Sequence, residues 1–321
     1  MMKLPLPATF FRCPPFSQTE AQQYIAMGLE SVRNLIQKAD LVHGPYEFTL
    51  LSDESDVKIH KADTAGPSHG VVCATMEAPA TLDEVYDLYR NDTTDQAKAY
   101  FQRFGRAFVD TVTLYTILSP SPTRPFDSVA IKWMACKSPF DALVPARDYC
   151  VLESTFEVEI NGHRGWATAY KSLVLDCVPT LWELCGLIRA THFDSGRVFV
   201  ESHRPGYLHM TYFNDQDVAG TPTAMGLSVR KWAIYESLKL WCRSLADLDR
   251  FLREDRLGRT PSLREYELTP LHSRTRCFLC HKKFGPLRTK SNCSKCGEVW
   301  LLDTRLVQKL QLRMEDQGDR R

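Results

Sequence analysis

"PARDYCVLESTFEVEI", residues 145–160, is the stretch on which the fold turns. Cys150, Leu152, Ser154, Phe156 and Val158 fall on one side of an extended chain, with Glu153, Glu157 and Glu159 on the other. That period of two marks a strand with two unlike faces. Asn161-Gly162 then supplies a tight turn into "GWATAYKSLVL", so the segment opens a β-hairpin. Upstream, "VDTVTLYTIL" and "DSVAIKWMAC" read as strands, the second with Val129, Ile131, Trp133 and Ala135 on one face. Downstream, "RVFVESH" and "GYLHMTYF" are joined by Arg204-Pro205-Gly206. Short turns between such runs predict antiparallel pairing.

Helices bracket this β region. Ser17 and Glu20 form a capping box ahead of Ile25, Leu29, Val32, Ile36 and Ala39, and His43-Gly44-Pro45 ends the helix. Three strand-like runs follow, "YEFTLL", "DVKIHKA" and "GVVCATMEA". Thr81 and Glu84 cap a short helix through Tyr89, and another runs from Thr94 to about Gly105. The strongest helix is predicted from Pro222 to about Asp255, with Thr221 as N-cap. Its stripe of Leu227, Ile234, Leu238, Trp241, Leu245, Leu248 and Leu252, widened by Met225, Trp232 and Phe251, requires a large apolar partner. The expected class is α+β, a curved antiparallel sheet around a long last helix.

This order of elements, together with Pro145-x-Arg147-Asp148-Tyr149 and the Trp-bearing closing helix, resembles the START lipid-transfer domain, a helix-grip fold, over residues 15–255. The resemblance implies a cavity that shields one lipid or other hydrophobic small molecule, with the closing helix in its lid. Arg147 and Asp148 are the first candidates for polar groups in that cavity. As strand neighbours they point to opposite faces, so only one can face inward; the alternative is that the inward one is paired within the fold. Trp133 and Tyr170, with Trp166 and Tyr207, are candidates for core or cavity wall. His203 and His209 read as ordinary strand residues.

The 321 residues are 44% apolar and 25% charged, a globular composition with ample core. A net charge of +1 conceals an asymmetry: residues 256–321 hold 15 Lys/Arg against 7 Asp/Glu (+8), and residues 1–255 hold 25 against 32 (−7). A basic tail on an acidic body suits an anionic partner, although a merely solvated tail has the same composition. "MMKLPLPATFFRCPPF" is too broken by proline for a signal sequence, and no apolar run is long enough to span a bilayer. Cysteines 13, 73, 136, 150, 177, 185 and 242 lack framework spacing, from which reduced thiols and a cytoplasmic location are expected.

Beyond a polar linker at 256–274 lies "CFLCHKKFGPLRTKSNCSKCG", residues 277–297. Cys277, Cys280, Cys293 and Cys296 follow C-x2-C-x12-C-x2-C, a spacing that suits one structural zinc held by four thiolates. His281 is a possible substitute ligand. Segment 275–318 resembles the first half of a FYVE zinc finger, in an order of domains resembling oomycete proteins. It departs from that pattern: the third and fourth ligand pairs are missing, Ser291 and Asn292 stand for the histidine pair, and Ser294 stands for the arginine. Specific phosphoinositide binding is therefore expected to be lost. Arg288, Lys290 and Lys295 retain a weak attraction for an anionic membrane, endosomal or otherwise, at about 1 kcal/mol each. "DTRLVQKLQLRMED" is predicted to be a helix.

No nucleophile elbow, phosphate loop, H-E-x-x-H or kinase signature is present. Cys150 is the nearest approach to a nucleophile. The tail lacks the aromatic–basic interleaving of a nucleic-acid binder. The leading expectation is a non-enzymatic lipid-binding or lipid-transfer protein. An interaction adaptor with a filled core and a protein-docking finger is the second, and an enzyme using the same cavity is the third.

Overall fold

The computed structural model describes residues 2–301 except 8, 55, 105–107, 138–144, 221–225, 279–280 and 286–288. The chain divides into two compact units, Met1–Leu252 and Arg253–Arg321.

The larger unit is built on one sheet. Its strands are β1 (Phe48–Glu54), β2 (Val57–Ala62), β3 (His69–Pro79), β4 (Phe108–Leu118), β5 (Ser128–Cys136), β6 (Arg147–Ile160), β7 (His163–Ser172), the two-residue β8 (Ile188–Arg189), β9 (Thr191–Glu201) and β10 (Tyr207–Asp217). Their order is β1-β2-β3-β10-β9-β7-β6-β5-β4, antiparallel throughout, with β8 added parallel to β6. The crossover that sets β3 beside β10 divides the sheet into two meanders.

Each face is covered by a different helix. On one face α1 (Gln18–Ala39), with the capping box at Ser17 and Glu20, packs on β6, β7 and β9. Val32 and Leu35 there join Val129, Ile131, Trp133, Leu152 and Phe156 in one apolar cluster. Gly28 permits the approach, since a Cβ at that position would lie 2.3 Å from Ser154 Oγ. On the other face Ile234, Tyr235 and Leu238 of α5 (Leu227–Cys242) pack on Val72, Ala74 and Met76 of β3. That cluster also takes in the short helix α2 (Leu82–Tyr89), whose Thr81–Glu84 capping box forms. Helices α3 (Thr94–Phe104) and α4 (Trp182–Cys185) complete the connections. A large antiparallel sheet with its last helices across one face is the arrangement expected of a helix grip.

Three expectations need correction. The closing helix is not continuous: α5 ends at Cys242, Arg243–Leu245 forms a 3-10 turn, and α6 (Ala246–Arg259) continues. At the 3-10 turn Arg243 grips the Glu54 carboxylate of β1 through Nε and Nη2 at 2.8 and 2.6 Å. Its expected start at Thr221 and Pro222 lies outside the described residues, as does the helix expected after residue 302. Not all the scattered cysteines are reduced. Cys13 and Cys177 form a disulfide, Cα–Cα 5.2 Å, across 164 residues of sequence, a pairing that spacing could not register. Nor does the body begin at residue 15. Leu6 is buried, Phe11 lies 5.3 Å from the Trp133 ring, and Phe16 stacks on Tyr115 at 3.9 Å.

The smaller unit carries 3-10 turns at Glu265–Glu267 and Leu271–Ser273 and a hairpin of β11 (Lys290–Asn292) and β12 (Val299–Leu301).

Candidate functional site

Between the α5 face of the sheet and α5 itself lies a narrow slot, with a cavity volume of about 40 Å³. One part of its wall is apolar, with Phe108 of β4, Met134 and Cys136 of β5, and Trp241 of α5. Phe108 and Trp241 meet edge to face at 4.9 Å and close that side. The rest is polar: Tyr100 of α3 (Thr94–Phe104), Tyr149 and Glu153 of β6, Tyr170 of β7, His192, Ser195 and Arg197 of β9, and Tyr212, Asn214 and Gln216 of β10. Most of the space lies within a water radius of a wall, so the slot is narrow.

Alternation within the strands sets this lining. Residues 149, 151, 153 and 155 of β6 face α5, and 148, 150, 152 and 154 face α1. Trp133 and Asp148 therefore lie away from the slot. Trp133 Nε1 donates to Asp148 Oδ2 at 2.8 Å, and Arg189 Nη2 donates to the same oxygen at 2.8 Å. Arg147 is turned to the α5 face but is used in a clamp on backbone, donating to the carbonyls of Val218, Ala219 and Pro145. Of the four residues singled out from sequence, Tyr170 lines the slot. Cys150 is buried against α1, and burial raises its thiol to about 11, so it is no ready nucleophile. Burial likewise pushes the slot's own thiol, Cys136, far up.

Sequence reasoning passed over the central group, Arg197. Its Nη1 donates to the Tyr170 hydroxyl at 3.0 Å. The rings of Tyr89, Tyr212, Tyr100 and Tyr170 surround its guanidinium carbon at 4.6, 5.1, 5.9 and 5.9 Å. Burial raises the phenols, Tyr170 to about 12 against the opposing pull of Arg197, so they stay neutral and offer hydroxyls and ring faces to the cation. Lys132, also on the α5 face, is buried and bonds to Glu153 Oε1 at 2.8 Å, to the Asn91 carbonyl at 2.8 Å and to Asn91 Oδ1 at 2.5 Å. Asn214 is buried in the slot wall, and its Oδ1 has no partner among the described residues.

His192 stacks on Tyr149 at 4.6 Å, with Nδ1 3.0 Å from Ser195 Oγ. Ser195 already donates to the Asp215 carbonyl, so the histidine is the donor at Nδ1 and its Nε2 is left as an acceptor. Burial lowers this imidazole to about 4, against a smaller upward pull from Asp215. A histidine depressed in the folded state stabilises the fold fully above its ordinary 6.5 and loses that contribution as pH falls toward 4. Between pH 7 and pH 5 the loss is about 2 kcal/mol. Urea midpoints at the two pH values are expected to show it in the natural protein, and His192→Gln is expected to be flatter by that amount.

Cys277 and Cys293 open two matching turns. Cys277 N–H donates to the Lys282 carbonyl (3.0 Å) and His281 N–H to the Cys277 carbonyl (2.9 Å). Cys293 N–H donates to the Glu298 carbonyl (2.9 Å) and Gly297 N–H to the Cys293 carbonyl (2.8 Å). The residue after each pair is left-handed, with φ 56° at His281 and 77° at Gly297. Phe278 N–H donates to the Val299 carbonyl and so fastens the first turn to β12 (3.0 Å). Cys280 and Arg288 lie outside the described residues, and among those described no three His, Cys, Asp or Glu side chains converge as a metal site. Lys290 is held by the carbonyls of Leu271 and Arg274 (3.0 and 2.9 Å), and Lys295 by that of Thr260. Among the described residues no helix is long and apolar enough to cross a membrane.

No family model matches the chain, and no curated protein matches it. Among solved structures it is similar to human STARD10, at 13% identity over 70% of this chain and 82% of that one, with a TM-score of 0.48. It is also similar to human StAR-related lipid transfer protein 5, at 12% identity, 72% and 100% coverage and a TM-score of 0.48. A third is the lipid transfer and protein localization domain of human StarD13, at 14%, 72% and 95%, and 0.42. Likeness at this level assigns neither a ligand nor an activity.

Proposed function

We propose that the larger unit is a non-catalytic binding module that holds one hydrophobic small molecule between the sheet and α5. The observation that carries this reading is the slot itself, apolar along Phe108, Met134 and Trp241 and polar along β6, β7, β9 and β10. Each apolar Å² of ligand removed from water contributes about 25 cal/mol. Because the slot is narrow, a ligand gains access only as the wall moves, and the Phe108–Trp241 contact is the place where α5 meets the far edge of the sheet. The same narrowness favours the second reading, an interaction adaptor whose interior is filled by its own side chains. Organic extraction and mass analysis of natively purified protein separate the two: a bound amphiphile supports the first reading, and a ligand-free chain that takes none up from vesicles supports the second.

For the tail, the proposal is a knuckle in which Cys277, Cys280, Cys293 and Cys296 hold a single zinc ion, without the second site of a FYVE finger. The paired turns support it, since Cys277 and Cys293 open two turns with the same hydrogen bonds and a left-handed residue at the fifth position. When bound, the metal supplies cross-linking and no chemistry. One zinc per chain is expected by elemental analysis, falling to none in Cys293→Ser/Cys296→Ser; a full-length chain purified without chelator and free of zinc would refute it. Weak adhesion to acidic membranes is a lesser part of the proposal, since Lys290 and Lys295 are already engaged with carbonyls.

A further inference from the structure

We infer that the slot selects a hydrophobic ligand carrying a single negative charge, a carboxylate at the end of one hydrocarbon chain, with Arg197 as its counter-ion. The inference rests on the binding-module reading and names the ligand class of that site.

The argument is one of charge balance. Arg197 stays cationic at any working pH and offers five N–H donors. Among the described residues its one hydrogen bond is to Tyr170, and no carboxylate oxygen lies within 4.0 Å of it. The four tyrosine rings soften the cost of burial but accept few of its N–H groups. The other charges facing the slot cancel. Glu153 is closed by Lys132 at 2.8 Å, and His192 is neutral. Asp148, Asp194 and Asp215 lie on the α1 face and are paired there with Arg189, Lys171 and Lys38. Arg147, also on this face, is spent on backbone carbonyls, which leaves at the slot one half-buried positive charge, Arg197, without a carboxylate. A lone buried charge is costly, and a bound monoanion removes that cost with charge-assisted hydrogen bonds.

Position argues for an amphiphile. Arg197, Tyr170 and Glu153 line both the apolar slot and a small neighbouring polar recess that contains Asn91, Thr155, Thr168 and the mutually paired Arg90 and Asp92. The guanidinium thus stands at the junction of an apolar and a polar compartment. A chain lying along Met134 and Trp241 puts its terminal charge against Arg197. The narrow slot suits one unbranched chain better than a fused-ring lipid.

The test uses delipidated full-length protein and two fluorescent probes that differ only in charge, cis-parinaric acid and its methyl ester. The acid is expected to bind about 10–100-fold more tightly than the ester, the worth of hydrogen bonds to a charged group. Arg197→Leu is expected to remove that advantage and leave ester affinity within about threefold, with Arg197→Lys intermediate. Equal binding of acid and ester by the natural protein overturns the inference, and so does equal weakening of both by Arg197→Leu. A single-chain phosphate monoester that competes better than palmitate overturns the carboxylate assignment. If Arg197→Leu fails to fold, the acid–ester ratio in the natural protein and in Arg197→Lys still decides. Binding of ester without preference for acid defeats this inference alone, and binding of neither probe defeats the binding-module reading with it.

Discussion

Replacing Asp148 by alanine is expected to destabilise the larger unit by about 3–5 kcal/mol, the cost of breaking a buried charged pair from one side. The carboxylate has no solvent exposure. Its Oδ2 accepts from Trp133 Nε1 and from Arg189 Nη2 and Nε, at 2.8, 2.8 and 3.1 Å. Arg189 reaches on to the Pro179 carbonyl at 2.9 Å, so one carboxylate joins β5, β6, β8 and the loop after β7. Alanine would strand an indole N–H and a largely buried guanidinium together. The substitution Asp148→Asn would keep an acceptor for the indole but lose the charge, and it is expected to cost about half as much. Urea unfolding followed by tryptophan fluorescence reads both. A loss below about 1 kcal/mol for Asp148→Ala would mean that Arg189 finds solvent in the folded state.

Filling the slot is the second large effect. Met134 is buried on β5 and projects into the apolar part of the lining. Met134→Trp places a larger, rigid side chain where the ligand chain would lie. Overpacking costs about 1–3 kcal/mol, an amount a domain of this size tolerates, and the empty slot reduces it. The expected result is a folded protein whose retained or exchanged lipid falls by at least about tenfold, read by probe titration beside a thermal melt. Unchanged binding in a folded Met134→Trp would place the ligand elsewhere.

Much of the architecture was legible in local pattern. Both capping boxes form as the spacing of Ser17–Glu20 and Thr81–Glu84 requires. The face assignments of β5 and β6 follow from period two, including Val129, Ile131, Trp133 and Ala135 together. The slot was not legible, and β9 shows why. "GRVFVE" reads as an ordinary half-exposed strand in which Arg197 belongs to the solvent side. Here both faces of the sheet are covered, one by α1 and one by α5, so the polar side of several strands becomes the wall of a cavity. Period two separates the faces without saying what covers each. The same ambiguity drew attention to the charged pair at 147–148, whose partners are carbonyls, Trp133 and Arg189. The 3-10 turn between α5 and α6 had no local signal either, and the partner that Arg243 finds there, Glu54, is distant in sequence.

The most direct test of the central claim is the native mass spectrum of the purified full-length chain, paired with organic extraction of the same sample. The account predicts about one equivalent of a single-chain amphiphile per protein, absent from Met134→Trp and reacquired by the natural chain from vesicles. A spectrum of the bare polypeptide alone, with nothing extracted and nothing taken up, would contradict it.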